Sequence, residues 1–160
     1  MATGDERAEV PAGLHGGGLK IGLVRARWNA DIVQRLADGV DGALADLGVR
    51  TVIEHSVPGC FEIPLAAKLL AGSGQVDAVV CIGAVIRGET THYELVAGEC
   101  GRGVQQAQLD TGVPVLFGVL TVENAEQALA RSQPGDGHNV GAEAALGAVE
   151  MARLAEKLTR

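Results

Sequence analysis

The chain has 160 residues, 47% of them apolar, and a mean hydropathy of +0.19, which suffices for one domain around one core. Aromatic residues make up only 2%, so that core must be packed from Ala, Val, Leu and Ile. Thirteen basic against twenty acidic side chains give a formal net charge of −7 and a pI near 5.0, which argues against nucleic acid or an anionic membrane surface as the main partner.

Met1 to Gly18 holds charged residues, alanines and the triplet Gly16-Gly17-Gly18 without periodicity, so it reads as a flexible arm before a single domain over 19–160. Asp5, Glu6 and Glu9 break any signal-peptide pattern, and no apolar run approaches the ~18 residues of a membrane span. Leu19 to Val24 is a first strand, followed by the loop Arg25 to Ala30. Asp31 supports a helix start, and Ile32, Val33, Leu36, Val40, Leu44 and Leu47 recur at helical spacing until Gly48 ends the segment. Thr51 to Val57 is a second strand, Pro58-Gly59 a turn, and Glu62 to Leu70 a short helix with Pro64 tolerated in its first turn.

Asp77 to Ile86 is apolar, rich in β-branched residues and not alternating, the pattern of a central strand buried on both faces. Thr91 to about Leu109 is a helix containing Gly98, Gly101 and Gly103, which suggest close packing against another helix. Asp110 to Pro114 turns into a fourth strand, Val115 to Val119. Glu123 to Arg131 is a helix, Ser132 to Asn139 a polar loop, and Ala142 to Leu158 an Ala-rich final helix.

Strands alternating with helices imply parallel strands joined by right-handed crossovers. The expected fold is α/β: a three-layer α/β/α sandwich with a four-stranded parallel sheet, flavodoxin-like, with ligands at the carboxyl ends of the strands. Arg27-Trp28-Asn29, Cys60-Phe61-Glu62, Ala84 to His92 and Gly118 to Thr121 each follow or end a strand, so every unusual cluster falls on that edge.

Three readings follow from the residues alone. Trp28, the only tryptophan, stands in a polar loop at a strand end, better placed to stack on a flat ring than to fill a core. Thr90 or Thr91 can cap the next helix, whose first N–H groups form an anion seat. His92 in that first turn is then beside the anion, and a histidine passes protons either way near neutral pH. Glu62 and Arg131 also suit a helix start and a helix end electrostatically, and Phe117 reads as core. Cys60, Cys81 and Cys100 are odd in number and lack metal-ligand spacing, which fits reduced thiols in a cytoplasmic protein. His15, His55 and His138 show no partner pattern.

Three motifs, Val57-Pro-Gly-Cys-Phe-Glu-Ile-Pro64, Gly83-Ala-Val-Ile-Arg-Gly-Glu-Thr-Thr-His-Tyr93 and Leu109 to Thr121, together resemble the 6,7-dimethyl-8-ribityllumazine synthase family of riboflavin biosynthesis. The likeness runs in order from about Leu19 to the C-terminus. It implies condensation of 5-amino-6-(D-ribitylamino)uracil with 3,4-dihydroxy-2-butanone 4-phosphate, a transferase chemistry that needs no metal or redox cofactor. By family position His92 shuttles protons. Trp28, Cys60, Phe61, Glu62, Ala84, Val85, Ile86 and Phe117 line the site of the ribitylaminouracil, while Glu89, Thr90 and Arg131 hold phosphate. The resemblance has Phe117 and Arg131 reaching into a neighbouring subunit's site, so it implies a homo-oligomer: a pentamer, which some members assemble further into icosahedral shells. The arm before Leu19 can lie against a neighbour.

Two positions depart from the family pattern. Cys60 replaces a smaller Ala or Ser, and Val140 in Asn139-Val140-Gly141 stands where the family usually has a lysine, after a slightly longer loop. An apolar residue there cannot balance negative charge, and neither Lys68 nor Lys20 is an evident substitute. Two other readings stay open: an archaeal-type riboflavin synthase, disfavoured by the long motifs, and a catalytically weakened paralogue acting as a lumazine- or flavin-binding or shell-forming protein.

Overall fold

The structure, a computed structural model, describes residues 9–160. The expected N-terminal arm therefore lies partly outside the described residues. Its described end, 14–18, lies against the domain: Leu14 packs on the core, Gly16 N–H donates to the Leu47 carbonyl at 2.6 Å, and the Arg153 guanidinium donates to the carbonyls of His15 and Gly17 at 3.0 and 2.8 Å.

Four strands, β1 (Lys20–Ala26), β2 (Thr51–Val57), β3 (Ala78–Ile86) and β4 (Val115–Val122), form one parallel sheet in the order β2-β1-β3-β4. β3 is central because its side chains are apolar on both faces. Ala78, Val80, Ile82 and Ala84 pack under one helical layer, while Val79, Cys81 and Val85 pack under the other. β2 is an edge strand and is mostly exposed, with only Val57 buried.

The first layer is α1 (Ala30–Asp46) with α5 (Val140–Leu158); the second is α2 (Ile63–Ala71) with α3 (His92–Thr111), and α4 (Ala125–Ala130) follows β4. α1 stops where expected. Gly48 takes φ +82°, its N–H donates to Ala45 O at 3.0 Å and the Val49 N–H to Leu44 O at 2.9 Å, so the last free carbonyls of the helix are satisfied. Among the described residues no helix is long and apolar enough to cross a membrane.

Several boundaries differ from the sequence reading. β4 runs on to Val122 because Leu120 and Val122 find core partners beside β3. A single 3₁₀ turn, Cys60–Glu62, precedes α2, and α5 begins at Val140, capped by the Asn139 side chain, which accepts from Ala142 N–H at 3.0 Å. α4 is shorter than expected, with its cap at Asn124 accepting from Gln127 N–H at 2.9 Å. Of the three glycines in α3, Gly103 makes the close approach to a helix: a Cβ there would stand 2.6 Å from Pro64 of α2, whereas one at Gly98 would meet open space.

Candidate active site

The chain passes from β2 to β3 over β1, so helices leave β1 and β3 in opposite senses and the sheet opens between them at their carboxyl ends. The ladders show where. β1 pairs with β3 only as far as Arg25 with Ile82, while β3 continues beside β4 to Ile86 with Val122. The last residues of β3 thus have a free edge. The amides of Val79 and Arg87 bond carbonyls on the β4 side, so alternation along a parallel ladder turns the N–H and C=O groups of Ala84 and Ile86 toward the open side.

A cleft of about 610 Å³ occupies this opening. Its floor is Ala84, Val85 and Ile86 of β3; one wall is Trp28 and Asn29 after β1, another Gly59 to Glu62 after β2, and the third His92, Leu95 and Val96 of α3. Eight residues expected at the site therefore converge: Trp28, Cys60, Phe61, Glu62, Ala84, Val85, Ile86 and His92. Trp28 is 74% exposed and Phe61 57%, so both aromatic faces are available rather than spent on the core.

Cys60 is buried, and it fits because β3 has a glycine opposite. A Cβ on Gly83 would stand 2.5 Å from the Cys60 Sγ. Burial pushes the Cys60 thiol up to about 11, against the opposing pull of the Ala84 backbone hydrogen bond, so it lines the cleft as a neutral small group. Cys100, pushed up to about 12, and Cys81 are raised by the same cause, and all three are free thiols.

Glu89 and Thr90 stand in the exposed turn between β3 and α3. The expected threonine cap is weak: the Thr91 side chain makes no cap bond, and the Thr90 hydroxyl accepts from His92 N–H at 3.4 Å. The turn is braced instead by Arg87. Its guanidinium bonds Glu94 in the first turn of α3 and, at 2.8 Å, Glu123 beyond β4, while standing 4.3 Å from the Tyr93 ring centre. These contacts hold the Glu94 carboxyl below its ordinary range, with the Arg87 hydrogen bond the largest cause.

Phe117 and Arg131 do not line the cleft of their own chain. Phe117 is at mid-β4, 40% exposed, and Arg131 follows α4 with its guanidinium on the Gln127 carbonyl at 3.0 Å. Val140 donates its N–H to the Arg131 carbonyl at 2.9 Å and packs against the α1/α5 core. The intervening loop is stapled by Asn139, whose Nδ2 donates to the carbonyls of Arg35 and Gln133 at 3.0 and 3.1 Å. Lys68 pairs with Asp110 at 3.2 Å and Lys20 begins β1 at the far end of the sheet, so neither lies at the cleft. Among the described residues no group of three His, Cys, Asp or Glu side chains could hold a metal ion.

Sequence reasoning gave no role to Asn29, Gly59, Leu95 or Val96. The α3 pair was findable, since positions three and four after His92 share its helical face. Gly59 shows its reason only in space, where a Cβ would stand 3.2 Å from both Trp28 Cδ1 and Glu62 Oε2.

A family model described as 6,7-dimethyl-8-ribityllumazine synthase matches residues 18–156. Curated proteins named 6,7-dimethyl-8-ribityllumazine synthase are similar over most of the chain. The Deinococcus radiodurans protein is 48% identical over 144 residues, 89% of this chain and 92% of that protein. The Azoarcus sp. protein is 44% identical over 160 residues, 99% of each, and the Thermococcus kodakarensis protein 49% identical over 143 residues, 89% and 90%. This chain belongs to the 6,7-dimethyl-8-ribityllumazine synthase family.

Proposed function

We propose that the cleft condenses 5-amino-6-(D-ribitylamino)uracil with 3,4-dihydroxy-2-butanone 4-phosphate to give 6,7-dimethyl-8-ribityllumazine, phosphate and water. The observation that carries this reading is the convergence of aromatic, carboxylate, histidine and free strand-edge groups in one cleft of a chain of this family.

The pyrimidine stacks on Trp28, and its ring amides meet the N–H and C=O groups of Ile86 on the open β3 edge, beyond the Ala84 carbonyl that Asn29 occupies, a donor and acceptor pattern suited to a uracil. Glu62, behind Phe61, accepts from ribityl hydroxyls. The phosphate sits at the turn Glu89-Thr90, against the start of α3, where backbone N–H groups and the helix dipole favour an anion. The 5-amino group attacks the ketone carbon, and water leaves as the imine forms. Loss of the proton from the neighbouring carbon then expels phosphate with the C–O bonding pair, and tautomerisation turns the old CH₂ into a methyl group beside a new ketone. The ribitylamino nitrogen closes the ring on that ketone and a second water leaves. His92, beside the phosphate seat, takes and returns the protons. Holding two reactants in line supplies several kcal/mol, and proton transfer contributes roughly 10²–10⁴-fold.

Arg131 and Phe117 act on a neighbouring copy's cleft, which makes the enzyme a homo-oligomer, a cyclic pentamer in this reading. Exposed apolar side chains support it: Leu65 and Leu69 on the outer face of α2, Leu95 and Leu109 on α3, and Met151, Leu154 and Leu158 on α5. Three free buried thiols fit a reducing cytoplasm.

The test follows lumazine absorbance and phosphate release together, on the wild type and on Val140→Lys. Stoichiometric appearance of both products in the wild type is expected. A silent wild type beside an active Val140→Lys would make this chain a binder that has lost turnover.

A further inference from the structure

Asn29 breaks two local rules at once. It occupies the N-cap of α1, where an asparagine side chain normally accepts a hydrogen bond from the first turn, yet its side chain makes no cap bond. It is also the only non-glycine described residue with positive φ, at +60°, in the left-handed region that asparagine tolerates better than other side chains. Its backbone still starts the helix, since the Asn29 carbonyl accepts from Val33 N–H at 3.0 Å.

The side chain is spent instead across the cleft. Asn29 Nδ2 donates to the Ala84 carbonyl at 2.9 Å. That carbonyl belongs to the part of β3 beyond the last β1 partner, Ile82, so no strand satisfies it from that side. The amide of Asn29 thereby replaces the missing ladder bond where the two strands part. The neighbouring residue of β3 is pressed from the opposite wall, where a Cβ on Gly83 would stand 2.5 Å from the Cys60 Sγ.

We propose that Asn29 is a positioning residue: its left-handed turn and its bond to Ala84 fix the separation between the Trp28 ring and the β3 edge, and so the width of the slot that receives the flat heterocycle. This rests on the synthase reading for the identity of that heterocycle, but not for the clamp itself. Backbone strain and a forgone helix cap persist where surrounding structure enforces them, typically at functional sites. Here the enforcing contact is the one that shapes the cleft. The residue does no chemistry and acts through Trp28 and Ala84.

Trp28 is the sole tryptophan in the chain, so its emission reports the slot directly. The decisive variant is Asn29→Gly, which keeps the positive φ without strain and removes only the amide; Asn29→Asp keeps the shape and replaces the donor by a group that repels the Ala84 carbonyl. In both, the Trp28 fluorescence anisotropy of the ligand-free protein falls, and the KM for the ribitylaminouracil rises about tenfold, the loss of roughly one hydrogen bond, with kcat changed far less. Unchanged anisotropy and unchanged KM in a folded, active Asn29→Gly protein would overturn the clamp. Absence of turnover in the wild type would overturn the synthase reading alone, because the anisotropy comparison needs no substrate.

Discussion

The two ends of the sheet are built from the same strands and treated in opposite ways. At the amino end the chain closes on itself: Lys20 and Asp77 exchange hydrogen bonds at 2.7 and 2.8 Å, Val79 N–H reaches Pro114 O at 2.8 Å, and residues 15–17 are tied down by Leu47 and Arg153. At the carboxyl end the strands part, an asparagine is held in a left-handed conformation, and Trp28 and Phe61 are left in solvent. The amino end is closed by hydrogen bonds within the chain, whereas in our reading the carboxyl end is completed by ligands and a second copy. The contrast separates residues that maintain the fold from residues that use it.

The largest expected effect comes from removing the residue proposed to carry protons. His92→Ala should lower kcat by about 10²–10⁴-fold while leaving the melting temperature in place, because the side chain is exposed. A wild-type rate in that variant would remove His92 from the mechanism. In the core under α1 and α5 the same kind of truncation should act on stability alone. Leu36→Ala, fully buried between α1 and the sheet, should cost about 2–5 kcal/mol in denaturant titration with KM unchanged.

Gly83→Ala falls between the two regions. Its new Cβ would press on Cys60 Sγ and should destabilise by about 1–3 kcal/mol, an overpacking cost that Cys60→Ala should largely relieve in the double variant. Removing the amino-end tie is smaller still: Arg153→Ala should cost about 1 kcal/mol, seen as faster hydrogen exchange at the Gly16 amide. The smallest effect is a pH dependence at the Arg87 brace. Because Glu94 is held below its ordinary 4.5, its contribution is present above that value and is lost as pH falls through the lower folded-state value. Acid titration of stability should therefore flatten in Glu94→Gln, and an identical profile would remove the brace.

Much of this was legible in the sequence, and the reasons differ by region. The β3 run and the helical spacing of α1 are periodic signals, and both elements lie within a few residues of their expected bounds. The cleft was legible because parallel α/β topology sends every strand's carboxyl end to one edge, which brought Trp28, Phe61, Glu62 and His92 together without any contact being known. What escaped was fixed by distance across the fold. Asn29 looks like an ordinary helix cap until Ala84 is placed beside it, and the Thr90-Thr91 pair looks like a cap although Arg87 does the bracing. The full length of β4 escaped for a related cause, since packing against β3 decides where an apolar run stops being a strand, and α4, though expected, starts two residues later, after its Asn124 cap.

The central claim is that the open end is finished by another copy, with His92 in one chain and Arg131 in the next serving one cleft. Co-expressing His92→Ala with Arg131→Ala chains, each inactive alone, tests it most directly. Random assembly pairs an intact His92 with a neighbour's intact Arg131 in about one cleft in four, so the mixture should recover about a quarter of wild-type activity. A mixed oligomer with no more activity than either parent would contradict the shared site.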